Sequence, residues 1–347
     1  SYWFPDVNPV YFSLAFFVMI FIANIFSVKV YGEIEYWLSF IKVGVIIVFI
    51  VLGFFTVMQQ PQFGTHNWHI ADAPFHNGWY GFIAVFLFAG FSFQGTELIG
   101  VASGETKDPE KSIPKSIKLV FWRLTLFYVL SIGIISLLLP FNDPQLAQQN
   151  SVTTSPYTLI FEKFAGMYAA DAMNFIILIA LISAANASMY SSSRILWYMG
   201  QHGQTPSIFK KFNKHGVPIP ALLATALVGS LVFVSSIIGN GTFFGIIVQI
   251  SSLCGFIAWF GIALSHYKFR RNVLPALGGV GILKYKAKFY PWAQITSMLV
   301  IAFIVVAQFI TLGEHYGFFD FIMLYSSVIL FAIIYFGHRF YLRKTAR

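Results

Sequence analysis

The stretch FIAVFLFAGFSFQGTELIG, residues 82–100, decides how the rest of the chain is interpreted. It is as long and apolar as a membrane-spanning helix, yet glycines, a serine, a glutamine and the carboxylate of Glu97 gather in its middle and later half. A charge inside a membrane is costly unless it is paired or hydrated. The pattern is typical of helices interrupted near the membrane midplane, where freed backbone groups hold a charged ligand. The alternative is that Gly90 and Gly95 permit close helix packing, while Glu97 pairs with a loop lysine.

The composition of the whole chain agrees with a membrane location. Of the 347 residues, 57% are hydrophobic and only 10% are charged, whereas soluble domains carry about 25% charged residues. This excludes a soluble enzyme, a nucleic-acid-binding protein and a secreted disulfide scaffold. The single cysteine, Cys254, cannot form an internal disulfide, and we predict it to be a small apolar core residue.

Nine apolar runs are each long enough to cross a bilayer, which takes roughly 20 residues. Backbone polar groups need internal partners in lipid, so these runs are predicted as helices. The predicted fold class is therefore an all-α polytopic membrane protein. The runs lie near Val10–Val28, Tyr36–Val57, Trp79–Ala102, Leu119–Leu139, Met173–Tyr198, Ile219–Ile238, Phe243–Ser265, Trp292–Leu312 and Phe318–Phe336.

The basic residues set the orientation of these runs. Nineteen of the 22 lysines and arginines fall in one set of alternate loops, and the other set holds only Lys163. Basic loops face the cytoplasm, so the first residue is predicted outside and the last inside. The chain begins at Ser1 and not at Met, which we interpret as the cut end of a longer protein.

Polar residues also mark the second and fifth runs. Lys42 lies about 9 Å along its helix at 1.5 Å per residue, so it either extends to the interface or is buried and carries a proton. The stretch 183–193, which contains Asn186, is rich in small and hydroxyl residues. It suits either close helix packing or the lining of a polar path. The outer loop 151–168 is expected to form a short amphipathic helix or a plain surface loop.

Catalytic machinery is not visible in the predicted spans. All eight histidines lie in loops or at the ends of spans, and no paired carboxylates or GxSxG turn occur in a span. We therefore expect no enzymatic activity, no cofactor and no bound metal. His66 and His69 share an outer loop, and its polar character explains them.

Longer motifs carry a family resemblance. Residues 91–105, FSFQGTELIGVASGE, are followed by Lys107-Asp-Pro109 and Ser112-Ile-Pro114. Together they resemble the sixth helix and following loop of amino-acid permeases of the amino acid–polyamine–organocation superfamily. The resemblance extends over essentially the whole chain and is greatest to bacterial lysine-specific permeases. Further matching segments are residues 121–123, 183–186, 206–209, 256–259 and 266–271.

This resemblance implies an architecture. Family members have twelve helices, arranged as two inverted five-helix repeats plus two more, and the nine runs match helices four to twelve. Residues 1–347 would then be a single permease domain that lacks the first three helices. Within it, residues 1–58 would end the first repeat, 79–265 would form the second, and 292–338 would be the two additional helices.

The resemblance also implies a function and a site. The function is proton-coupled uptake of lysine or another basic amino acid across the bacterial inner membrane, with protons and lipid as the other partners. A permease for a neutral or aromatic amino acid, or a non-functional transporter remnant, is the alternative. Backbone carbonyls around a helix break near Gly90 would bind the substrate ammonium, Phe91 would act as a gate, and Lys42 and Glu97 would couple protons. The implied substrate-binding residues are Phe88, Ala89, Phe91, Ser92, Glu97 and Asn186.

Overall fold

The fold consists of helices, with no strand among the residues that are described. A computed structural model describes residues 3–4, 6–25, 28–60, 63–71, 73, 75–103, 106, 108–146, 155–233, 241–311 and 317–345, some of them, including Phe88, by their backbone only. In chain order the helices are α1 (Pro9–Ile25), α2 (Val28–Gln59), α3 (Gly78–Phe93), α4 (Leu98–Ala102), α5 (Pro109–Leu124), α6 (Ser131–Leu138), α7 (Pro156–Ala165), α8 (Met167–Gln201), α9 (Ile219–Gly229), α10 (Gly241–Lys268), α11 (Trp292–Thr311) and α12 (Phe318–Thr345).

The helices confirm the predicted class, an all-α polytopic membrane protein. Within the described residues, six helical segments are long and apolar enough to cross a membrane, and three shorter apolar helices match the remaining predicted runs. The six are Tyr36–Gln59, Gly78–Val101, Pro109–Leu138, Met167–Gln201, Ile247–Leu277 and Trp292–Phe309. The shorter three are Pro9–Ile25, Ile219–Gly229 and Leu324–Phe340.

The chain divides into two units that interleave along the sequence. The first unit combines Ser1–Pro74 with Lys118–Gly241, and the second combines Phe75–Ile117 with Thr242–Arg347. The repeat boundaries implied by the family resemblance stay a prediction.

In the first unit, α8 packs against α1, α2, α7 and α9. Of the two expectations for loop 151–168, the helical one holds, because its described part contains the helix α7. Leu159 and Ile160 of this helix are buried in a cluster with Phe49 of α2 and Leu138 of α6. Because its apolar face is covered by protein, α7 is part of the core of this unit.

In the second unit, α10 contributes to one buried cluster with two other helices. Its Leu253 and Phe256 are buried in one cluster with Ile304 of α11 and Leu324 of α12. Cys254, the next residue after Leu253, is exposed. The prediction that Cys254 is a core residue was therefore wrong, because the adjacent Leu253, and not Cys254, faces the buried cluster.

Candidate functional site

The helix that bears Glu97 is interrupted between α3 and α4, at Gln94–Glu97. Gly95 has a φ of +95°, which residues with a side chain rarely adopt. Gly90 is buried and lies within α3. The family resemblance implied a break near Gly90, whereas the interruption begins at Gln94 and the positive φ falls at Gly95, the second of the two glycines.

Gly90 has a packing role instead. A Cβ placed on it would lie 2.5 Å from the Phe256 Cζ atom and 2.5 Å from the Ser252 Oγ atom of α10. On the facing helix, a Cβ on Gly255 would lie 2.5 Å from the Gln94 Nε2 atom. The absence of a side chain at both glycines thus brings α10 close to α3 and to the interruption. For Gly90, the structure supports the close-packing alternative.

The carboxylate of Glu97 folds back over the interruption. Its two oxygens lie 3.1 and 3.2 Å from the Gly95 backbone nitrogen, which donates to them. The Trp259 indole of α10 donates a further hydrogen bond of 3.1 Å to the Oε2 atom. In the described part of the chain, the partners of this half-buried carboxylate are therefore N–H and O–H donors, including the Thr96 hydroxyl, and not a loop lysine.

Gln94, at the start of the interruption, is hydrogen-bonded to α10. Its amide nitrogen donates to the Ser251 carbonyl oxygen, and the Ser251 hydroxyl donates to its Oε1 atom over 3.1 Å. Ser251, Gly255 and Trp259 are spaced four residues apart, which places them along one face of α10. That face supports the interruption from Gln94 to Glu97. Sequence reasoning missed Ser251 and Trp259, since neither is unusual in its own apolar run.

The predicted substrate-binding residues of α3 occupy its last two turns. Phe88 and Ala89 precede the final turn, so their carbonyls accept hydrogen bonds from N–H groups within the helix. The side chain of Phe88 lies outside the described residues. Phe91 and Ser92 are exposed in the final turn, and the Phe91 carbonyl accepts the Gln94 N–H over 3.2 Å. The carbonyls of a final turn lack partners within their helix. The carbonyl end of α3 therefore lies at the start of the interruption.

In the first unit, the structure connects Lys42 to α8. The Lys42 Nζ atom donates a hydrogen bond of 2.7 Å to the Ser183 Oγ atom. Lys42 is half-buried, and Ser183 is only 1% exposed. Extension of this lysine to the interface is thus disfavoured, because its ammonium is engaged inside the protein.

Asn186 lies almost one turn beyond Ser183 on the same face of α8. Its side-chain oxygen accepts a 2.7 Å hydrogen bond from Asn24 of α1, whose amide also donates to the Ile20 carbonyl over 2.9 Å. We call Lys42, Ser183, Asn186 and Asn24 the polar seam of the first unit. The sequence analysis missed Asn24, although a lone amide in an apolar run was a usable signal.

Across the residues that the structure describes, no three His, Cys, Asp or Glu side chains come together in a way that could hold a metal ion.

Apolar helices and an interrupted helix that carries a hydrogen-bonded carboxylate are features of polytopic membrane transporters. The sequence pattern of the amino acid permease family matches residues 1–347, so the chain belongs to that family. This confirms the resemblance seen in the sequence motifs.

Individual relatives agree with the assignment. The chain is 42% identical to the lysine-specific permease LysP of Escherichia coli over 354 residues, which cover 98% of this chain and 71% of the relative. It is 40% identical to LysP of Lactococcus lactis over 350 residues, 98% of this chain and 68% of the relative. The histidine permease HisP of Lactococcus lactis is 38% identical over 346 residues, 98% of this chain and 72% of the relative. These relatives are named as permeases, and the chain is a multi-pass inner-membrane protein of a family that transports amino acids.

Proposed function

We propose that the chain takes part in proton-coupled uptake of lysine, or of another basic amino acid, across the cytoplasmic membrane. The observation that carries this proposal is the carboxylate of Glu97, which lies at the interruption between α3 and α4 and is held by a backbone amide and an indole. Similarity to two lysine-specific permeases supports lysine as the substrate.

The interruption suits a positively charged group. The carbonyl end of α3 lies at the start of the interruption, and the C-terminal end of a helix carries partial negative charge. Glu97 adds a full negative charge close to this turn. We assign the substrate ammonium to the backbone carbonyls around Phe88, Ala89 and Phe91, at the carbonyl end of α3, and the gate to Phe91, whose side chain is 42% exposed there.

Coupling is assigned to Lys42 and Glu97. Both are ionisable side chains in otherwise apolar helices, a placement typical of proton relays in membrane transporters. Lys42 is held against Ser183 of α8, so a change in its charge would alter a contact between two long helices. In the same proposal, residues 1–58 end the first repeat, 79–265 form the second, and 292–338 are the two additional helices.

Histidine is the second candidate substrate, because the similarity to HisP is nearly as high as that to LysP. Uptake of labelled lysine into proteoliposomes that contain the full-length protein separates the two. We expect unlabelled lysine to compete best, followed by arginine. Stronger competition by histidine, or by a neutral or aromatic amino acid, would assign the substrate to that amino acid instead.

Glu97→Gln tests the role of the carboxylate, because it keeps the shape and removes the charge. Loss of a charge-assisted hydrogen bond predicts that uptake falls roughly ten- to a hundredfold. Glu110→Gln is the matched control, since Glu110 is an exposed acid of α5 that binds Lys284. Unchanged kinetics and pH dependence in Glu97→Gln would reduce Glu97 to a packing group.

A further inference from the structure

The connection between α10 and α11, residues 268–292, carries six basic residues and no acidic one. We infer that this segment, here named the basic hairpin, is a binding site for anionic headgroups of the membrane lipids around α10 and α11. Its basic side chains would contact lipid phosphates, and its exposed apolar side chains would enter the headgroup layer.

The basic hairpin has a fixed shape. Arg270 donates a hydrogen bond of 3.0 Å to the Ala287 carbonyl, and its guanidinium lies 4.3 Å from the centre of the Tyr290 ring. The Tyr290 hydroxyl donates to the Tyr267 carbonyl over 3.1 Å, and the side chain of Leu274 is fully buried. One of the six cations is thus used to connect the two arms, so the others project from a defined surface.

The lysines of the second arm differ in their partners. Lys284 forms an ion pair with Glu110. Lys286 and Lys288 are exposed, and no described acidic side chain pairs with either of them. Lys268, at the end of α10, is exposed as well. Three cations are therefore available to a ligand on one short segment, and a negatively charged ligand would match them.

Large apolar side chains lie close to these lysines in the sequence. Phe289 is 79% exposed and Trp292 is 71% exposed, and Ile282 and Tyr285 are exposed nearby. Aromatic residues concentrate at the boundary between headgroups and acyl chains, and a mixed basic and apolar surface binds that boundary. This composition favours a lipid surface over a soluble acidic partner, which would leave the apolar groups in water.

The length of α10 is consistent with a position of the basic hairpin at the membrane surface. Its 28 residues extend about 42 Å at 1.5 Å per residue, more than the hydrocarbon thickness of about 30 Å. The other end of the hairpin returns directly to the apolar helix α11. Both ends are thereby held at the membrane surface, within the roughly 8 Å over which headgroup charge acts in physiological salt.

A fluorescence titration tests this inference. The full chain carries Cys254→Ser and Asn272→Cys, so that one environment-sensitive dye reports from an exposed position of the basic hairpin. The protein is placed in phosphatidylcholine nanodiscs with a rising fraction of phosphatidylglycerol. We expect a saturable emission shift that added salt weakens.

Three double variants test whether the emission shift depends on the positive charges of the basic hairpin. Lys286→Gln with Lys288→Gln should need about 30-fold more phosphatidylglycerol for half-saturation, or five- to sixfold for each lysine. Lys286→Arg with Lys288→Arg keeps the charge and should retain the response, which also shows that the site tolerates substitution. Lys210→Gln with Lys211→Gln removes two exposed lysines from another basic loop and should change the midpoint less than twofold.

Three results would overturn the inference. One is an equal response to zwitterionic and anionic lipid, and another is an equal loss in the Lys210 and Lys211 control. The third is a comparable response to soluble polyglutamate in pure phosphatidylcholine nanodiscs, which would indicate an acidic protein partner.

Discussion

The two units accommodate a charged side chain in different ways. In the second unit, the carboxylate of Glu97 lies where the helix is interrupted, and the Gly95 amide and the Trp259 indole donate to it. In the first unit, the ammonium of Lys42 donates to the Ser183 hydroxyl between two continuous helices of 32 and 35 residues.

The sign of the charge explains this difference. A carboxylate only accepts hydrogen bonds, and the interior amides of a helix are already used, so donors come from a helix start or from side chains. An ammonium only donates, and a serine hydroxyl can accept from it without disturbing either helix. An interruption therefore serves the anion, whereas helix packing is enough for the cation.

The largest expected effect concerns Lys42, the titratable member of the polar seam. Lys42→Ala should abolish proton-driven accumulation and retain part of the substrate binding, because it removes the group to which proton exchange is assigned in the proposed function. Lys42→Arg should also abolish accumulation, since arginine keeps its proton in proteins. Accumulation against a pH gradient and binding are measured in the full-length protein, with Lys163→Ala as control. Normal accumulation in either Lys42 variant would leave this lysine a structural role only.

The next effect tests the close approach beside the interruption. Gly90→Ala should destabilise the protein by about 1–3 kcal/mol, because the new methyl group overlaps Phe256 and Ser252. Gly100→Ala is the matched control, since a Cβ there meets nothing within 4 Å. Thermal unfolding in detergent compares the two variants. Equal stability of both would mean that α3 and α10 can separate without cost.

A smaller effect is expected in the polar seam. Asn24→Ala and Asn186→Ala, combined in a double-mutant cycle, should show a coupling of about 0.6 kcal/mol, the mean for hydrogen bonds between membrane helices. The cycle is followed by reversible unfolding in mixed micelles. Additive single changes would indicate that the 2.7 Å contact contributes nothing to stability.

The smallest effect is expected for the ion pair of the first unit in which Lys163 binds Asp143 over 2.8 Å. The hydrogen bond from Lys163, and then that from the Gln145 backbone, lower the pKa of Asp143. The folded state thus binds fewer protons, so the stabilisation is present above the unfolded pKa of about 3.9 and is lost as the pH falls through the folded pKa. An exposed pair contributes about 0.2–1 kcal/mol. Asp143→Asn should remove this acid dependence from unfolding curves, and an unaltered dependence would assign it to another carboxyl group.

Sequence reasoning identified Glu97 and Lys42 because a charge in an apolar run stands out without knowledge of its neighbours. It placed the interruption near Gly90, whereas the positive φ occurs at Gly95. Both positions are glycine, and a glycine serves either a special backbone conformation or a close contact. Only the position of the facing helix α10 shows which of the two roles Gly90 has, since Phe256 and Ser252 occupy the space beside it.

The sequence by itself determined the all-α membrane class, because hydropathy and length act on each segment separately. Family motifs also indicated amino acid transport from the sequence alone, because each motif consists of residues that are adjacent in the chain. Tertiary structure alone decided which donors serve Glu97 and which acceptor serves Lys42, since Trp259 and Ser183 are 162 and 141 residues away. A hydrogen bond acts over about 3 Å, and only the packing of helices brings such distant side chains within that distance.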